Sequence, residues 1–118
     1  MNPYVILLLG GQVSANVVFY GGYASVQAAL SSIIGTGKPW AYQLLQVYGP
    51  VVNNPPGPLM PVTVSPGAWL AVASGFDPSG NPALYGYGTF SSSDAANAWT
   101  AQAGVPGAYS IGQVSAPI

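Results

Sequence analysis

The sequence predicts an α+β protein made of two tandem ββαβ repeats. Each repeat has an antiparallel or mixed sheet and one helix, and an extended proline-rich arm joins the two. Three observations lead there. The chain matches itself at a fixed offset. In each copy, β-branched and aromatic runs surround a single stretch with helical spacing. Six of the twelve prolines lie between the copies, in Gly49–Gly67.

The offset is 67 residues. Ser25, Ala28, Ala29, Gly37, Pro39, Ala41, Tyr42, Gln46 and Val47 reappear without a gap as Ser92, Ala95, Ala96, Gly104, Pro106, Ala108, Tyr109, Gln113 and Val114. Self-similarity on this scale is settled first, because a missed repeat misassigns the fold. The chain then divides into a first repeat (1–48), an arm (49–67) and a second repeat (68–118), expected to form one compact pseudo-symmetric unit.

In the first repeat, Tyr4–Leu9 and Val17–Tyr23 read as strands, with turn residues Gly10-Gly11 and Ser14–Asn16 between them. Ser25–Ile34 has helical spacing, with Val26, Ala29, Leu30 and Ile33 on one face. Gly35 and Gly37 end this helix, Pro39 marks the restart, and Trp40–Tyr48 is the third strand. The second repeat follows the same order. Trp69–Phe76 and Leu84–Phe90 flank Asp77-Pro78-Ser79-Gly80-Asn81-Pro82, a turn built from residues that fix or free φ. A helix over about Ser92–Ala103 and a strand over Ala108–Val114 complete it. The second helix aligns its apolar residues as Ala95, Trp99 and Ala103, so a one-residue slip relative to the first helix is expected inside it.

Composition excludes whole function classes. Lys38, Asp77 and Asp94 are the only charged side chains, and His, Cys, Arg and Glu are absent. Ordinary soluble domains are roughly 25% charged; this chain is 3%. One lysine cannot bind a phosphate backbone or an anionic membrane surface, which both need clustered basic residues. Hydroxyl nucleophiles have no histidine to activate them. No disulfide or thiolate metal site can form, and the redox compartment is unmarked. Asp77, Ser79 and Asn81 alternate like calcium-loop ligands, but Pro82 and Gly88 stand where that loop needs Gly and Glu. Asp94 follows Ser92 as a helix-start device, and Lys38 complements a helix C-terminus. The reading is therefore no enzyme, no catalytic or metal-binding residue, no cofactor and no small-molecule substrate. Val5–Leu9 is too short for a signal-peptide core or a membrane span and reads as a buried strand, with no export signal.

Half the residues are apolar, so a real core is expected. A charge-poor surface with positive mean hydropathy is best kept dispersed by being covered. That points to other protein subunits of a symmetric assembly as partners. The arm supplies the candidate contacts Val51, Val52, Pro55, Pro56, Leu59, Met60 and Val62, which lie either across the chain's own two halves or on an adjacent subunit. Tyr20, Tyr23, Tyr85 and Tyr87, beside strand glycines, are candidate aromatic contacts, with Trp40 as a further stacking platform.

Tyr85-Gly86-Tyr87-Gly88-Thr89-Phe90-Ser91-Ser92, Ala95-Ala96 and the strand Ala108–Val114 together resemble one half of a SPOR-type peptidoglycan-binding domain. The likeness covers about thirty residues and implies glycan binding. The extra first strand, the long arm and the lack of basic residues depart from that family. Three functions follow. The leading one is a virion structural protein, a bacteriophage capsid decoration or cement protein bridging neighbouring capsid subunits through apolar and backbone contacts. The alternatives are a self-assembling extracellular filament or surface-layer subunit, and a SPOR-like glycan-binding module.

Overall fold

A computed structural model describes residues 1–13, 16–49, 60–76, 79–102 and 109–118, with only the backbone of Val13 and Phe76. The elements are β1 (Tyr4–Val13), β2 (Asn16–Tyr23), α1 (Val26–Gly35), a 3-10 turn (Pro39–Ala41), β3 (Tyr42–Tyr48), β4 (Trp69–Phe76), β5 (Pro82–Phe90), α2 (Ser93–Gln102) and β6 (Tyr109–Ser115). The six strands close into one mixed barrel in the order β1-β2-β6-β4-β5-β3.

This closure corrects the expected fold class. There are not two ββαβ repeats with a sheet apiece. Within each half the first strand lies between the other two, antiparallel to both. The halves are then sealed to each other by two parallel pairs, β2 with β6 and β3 with β5. The physical reason is edge and face coverage. A three-stranded sheet standing alone leaves two strand edges unpaired and an apolar face wet. Interlocking two such sheets pairs the edges and encloses the face.

The barrel has a pseudo-two-fold axis that the pairing register makes explicit. Phe19 pairs with Val114 and Tyr20 with Ser115; shifting each by 67 yields the pairs Val47 with Gly86 and Tyr48 with Tyr87. The first strands are related by 65 instead. Tyr4 pairs with Tyr23 and Gln46, and Trp69 with Phe90 and Gln113. Two extra residues between β4 and β5 account for the difference. Matching hydrogen bonds follow the same relation: the Val47 N–H donates to Pro3 O and the Val114 N–H to Ala68 O, each at 2.8 Å.

The interior holds Val5, Leu7, Phe19, Leu45, Val47, Val64, Leu70, Val72 and Val114. Backbone symmetry does not extend to side-chain volume. Val5 is equivalent to Leu70, Leu7 to Val72, Phe19 to Gly86 and Leu45 to Gly112, so a large residue on one side answers a small one on the other. A Cβ on Gly112 would lie 3.0 Å from Phe19 Cε2, so that ring occupies the room a side chain there would need. Such alternation fills an interior at native density without strain.

Val64 enters the same core from the end of the proline-rich arm. Its N–H donates to Asn2 O at 2.9 Å, the Val62 N–H to Val47 O at 3.1 Å, and the Gly49 N–H to Met60 O at 2.9 Å. Residues 60–64 are thus bonded along their own barrel.

Both helices start on serine. Ser25 Oγ accepts from the Ala28 N–H at 3.0 Å and Ser92 Oγ from the Ala95 N–H at 3.1 Å. Asp94 sits in the first turn of α2, where a negative charge suits the helix dipole. Helix α1 buries Ala29 and Ile33 over Ile6, Tyr20, Tyr23, Tyr42 and Leu44. Helix α2 buries Ala96 and Trp99, and Trp99 packs on Tyr87, Phe90 and Tyr109 at centroid separations of 5.2, 5.6 and 5.2 Å. The caps and Ala29/Ala96 keep the 67-residue offset, and the slip comes one turn later, where the equivalent of buried Ile33 is Thr100 but Trp99 is the residue buried. The helices differ in which turn they bury: Ile33 lies four residues beyond Ala29, while Trp99 lies three beyond Ala96.

Candidate interaction surface

The most conspicuous surface feature follows from α1's apolar arc being wider than the barrel covers. Ala29 and Ile33 face inward, and Val26, Leu30 and Ile34 form the adjoining i, i+4, i+8 row. These three are 42%, 43% and 69% exposed. Trp40, six residues beyond Ile34, is 74% exposed, and Leu9 is 47% exposed. The antiparallel register that pairs Leu8 with Tyr42 brings the end of β1 to the start of β3, the same end of the barrel as the α1 C-terminus.

The pseudo-two-fold supplies an internal control. At the positions equivalent to Val26, Leu30 and Ile34, helix α2 carries Ser93, Asn97 and Ala101. The fold therefore does not require bulky apolar residues there. Sequence reasoning assigned Val26 and Leu30 to the core face of α1 and missed Ile34 and Leu9. The available signal was the contrast between the two helices at the 67-residue offset.

The sequence-predicted contacts are dispersed. Val51, Val52, Pro55, Pro56 and Leu59 lie outside the described residues, as does Asp77. Met60 is exposed, while Val62 packs against its own barrel core. Tyr20 and Tyr23 lie beneath α1, with the Tyr20 ring edge-on to Tyr42 at 6.3 Å, and the Tyr23 hydroxyl accepts from the Ile118 N–H at 3.0 Å. Tyr87 lies on the opposite side beneath α2, against Trp99 and Tyr109. A Cβ on Gly75 would meet the Tyr85 ring edge at 3.1 Å, so Tyr85 lies along the neighbouring strand. The four tyrosines do not share one face.

A shallow open depression of about 190 Å³ is bounded by Gln43, Ser74, Gly75, Pro82, Ala83 and Leu84, none of them titratable. It is smaller than the ~300–1,000 Å³ of ordinary ligand pockets. Among the described residues no cluster of metal-ligating side chains forms. Among the described residues the buried indole N–H of Trp99 has no hydrogen-bond partner.

Burial raises the Tyr87 phenol above its ordinary value of 10.0, with smaller contributions from Tyr109, Tyr85 and Tyr48. A raised folded-state pKa means the folded chain holds that proton more tightly than the unfolded chain. Its contribution to stability is complete below pH 10 and declines as pH rises beyond it. Alkaline difference spectroscopy is expected to show a late step of tyrosine ionisation above the ordinary phenol range, with the unfolding midpoint falling in the same range. Tyr87→Phe should remove that late step; its persistence in the variant would refute the assignment.

No protein-family model, curated protein or solved structure matches this chain.

Proposed function

We propose that this chain is a non-enzymatic structural protein of a symmetric assembly and, within that class, a bacteriophage capsid decoration or cement protein. The single observation carrying the reading is the exposed apolar row Val26, Leu30, Ile34 with Trp40 and Leu9, set on a molecule with three charged side chains. Large apolar side chains left exposed on a chain this poor in charge mark contact with another molecule. Covering them releases water, which drives association without any charged partner.

The closed ring favours cement over a strand-donating filament, because a donated strand needs an open sheet edge. Glycan binding is less supported than the sequence reading suggests, because Tyr20, Tyr23 and Tyr87 are engaged beneath helices.

The test uses shells assembled from the major capsid protein encoded in the same genome. Purified chain should co-sediment with them in fixed stoichiometry, and Ile34→Asp should reduce occupancy at least tenfold while leaving circular dichroism unchanged. A chain that remains in the supernatant at every concentration would overturn the reading.

A further inference from the structure

Resting on that reading, we infer that the subunit this row meets within the assembly is a second copy of this chain: the row is a self-complementary interface occupied by α1 of that copy, packed antiparallel about a two-fold axis, and Ile34→Asp lowers shell occupancy by breaking this pairing. The row suits such pairing. With Leu30 on the axis, Leu30 meets its own counterpart, and Val26 of each copy meets Ile34 of the other. Rows spaced by four residues interdigitate in the commonest class of helix packing. An isologous contact requires one patch to match itself, and this symmetric trio does so. The adjoining row, Gln27, Ser31 and Gly35, ends in small residues that allow close approach. Trp40, lying beyond Ile34, reaches over the start of the partner helix.

Charge selects a second copy over an unrelated protein. From Ser25 to Gly37 there is no charged side chain. An ordinary protein surface is roughly a quarter charged, and pressing it against this row would strip water from charges without pairing them. Another copy presents an equally uncharged row. A net charge of −1 leaves the copies with little mutual repulsion, and antiparallel packing places the two Lys38 side chains at opposite ends. Weighted by exposure, Val26, Leu30, Ile34 and Trp40 offer at most on the order of 500 Å² per copy. Two copies then cover about 1,000 Å², the lower bound for a specific interface. A reversible dimer is the consequence.

The experiment compares the full chain with a variant carrying the α2 residues, Val26→Ser, Leu30→Asn and Ile34→Ala. Sedimentation equilibrium should show the parent approaching twice 11.9 kDa with rising concentration. The variant should associate more than tenfold more weakly and keep its circular dichroism. Trp40 emission should shift to shorter wavelength with concentration in the parent only. A parent that stays monomeric, or a variant that dimerises equally well, overturns the inference. Capture of the monomeric parent by neutral phosphatidylcholine vesicles would also overturn it. Shell binding by a strictly monomeric parent would refute self-pairing while sparing the assembly role. A dimer that ignores shells would support self-pairing and remove the cement role.

Discussion

Gly112→Ala is expected to destabilise the barrel by about 3 kcal/mol or more, toward the upper range for single substitutions. A Cβ at this position would be driven into the Val17 carbonyl oxygen and within 2.9 Å of the carbonyl carbon. Both atoms are backbone, so no rotamer change relieves the clash. The strands β6 and β2 would have to separate. Their parallel pairing is a short register, Phe19 with Val114 and Tyr20 with Ser115, and it is one of only two seams between the halves. Gly86, at the other seam, is the control. A Cβ there meets Val47 Cγ2 at 3.4 Å and Gln46 O at 3.6 Å, close to ordinary contact. Gly86→Ala should lie within about 1 kcal/mol of the parent, since restricting the unfolded chain offsets a mild crowding. Urea unfolding midpoints measure both. Equal midpoints for the two variants would show that the β2–β6 seam is not the tight one.

Phe19→Ala carries the other large effect, a loss of about 3–5 kcal/mol. Phe19 is fully buried and is the largest of the fully buried core side chains. Its equivalent is Gly86, and it fills the room left by Gly112, so neither of those two positions has a side chain to move into the cavity. Set against a total stability of about 5–15 kcal/mol, this loss removes a large share. Calorimetry should show the melting temperature falling by roughly 10–20 °C. A fall of only two or three degrees would mean the core collapses around the gap, contrary to the packing described.

These two positions also show why the repeat was harder to read than its symmetry warrants. Equivalent core positions hold Val5 and Leu70, Leu7 and Val72, Phe19 and Gly86, Leu45 and Gly112. Close packing constrains the total volume of the interior and not which residue stands at each of two equivalent positions. Identity therefore survives mainly outside that core, at caps such as Ser25 and Ser92 and at Tyr42 and Tyr109. The two-residue difference between the β1–β2 and β4–β5 connections shifts the first strands to an offset of 65, outside the single offset of 67 that the sequence comparison used.

Individual elements were legible because they depend on neighbours two to four residues away. Alternating and β-branched runs at Trp69–Phe76, or Ser25 ahead of a helical apolar spacing, carry their own local cause. Local pattern also showed α1 to be apolar, but not which of its residues a neighbour would cover. Val26 and Leu30 look as core-like as Ala29 and Ile33 until the barrel's curvature is known.

Residue order alone was enough for the near-absence of charge and for the succession of strands and helices. Closure belongs to the tertiary structure. The seams join β2 to β6 and β3 to β5, strands distant in sequence, through backbone hydrogen bonds and interlocking volumes. Backbone amides are nearly alike in every residue, and a cavity is shaped by side chains from all six strands at once. Neither leaves a local pattern from which the ring, or the uncovered flank of α1, could be read.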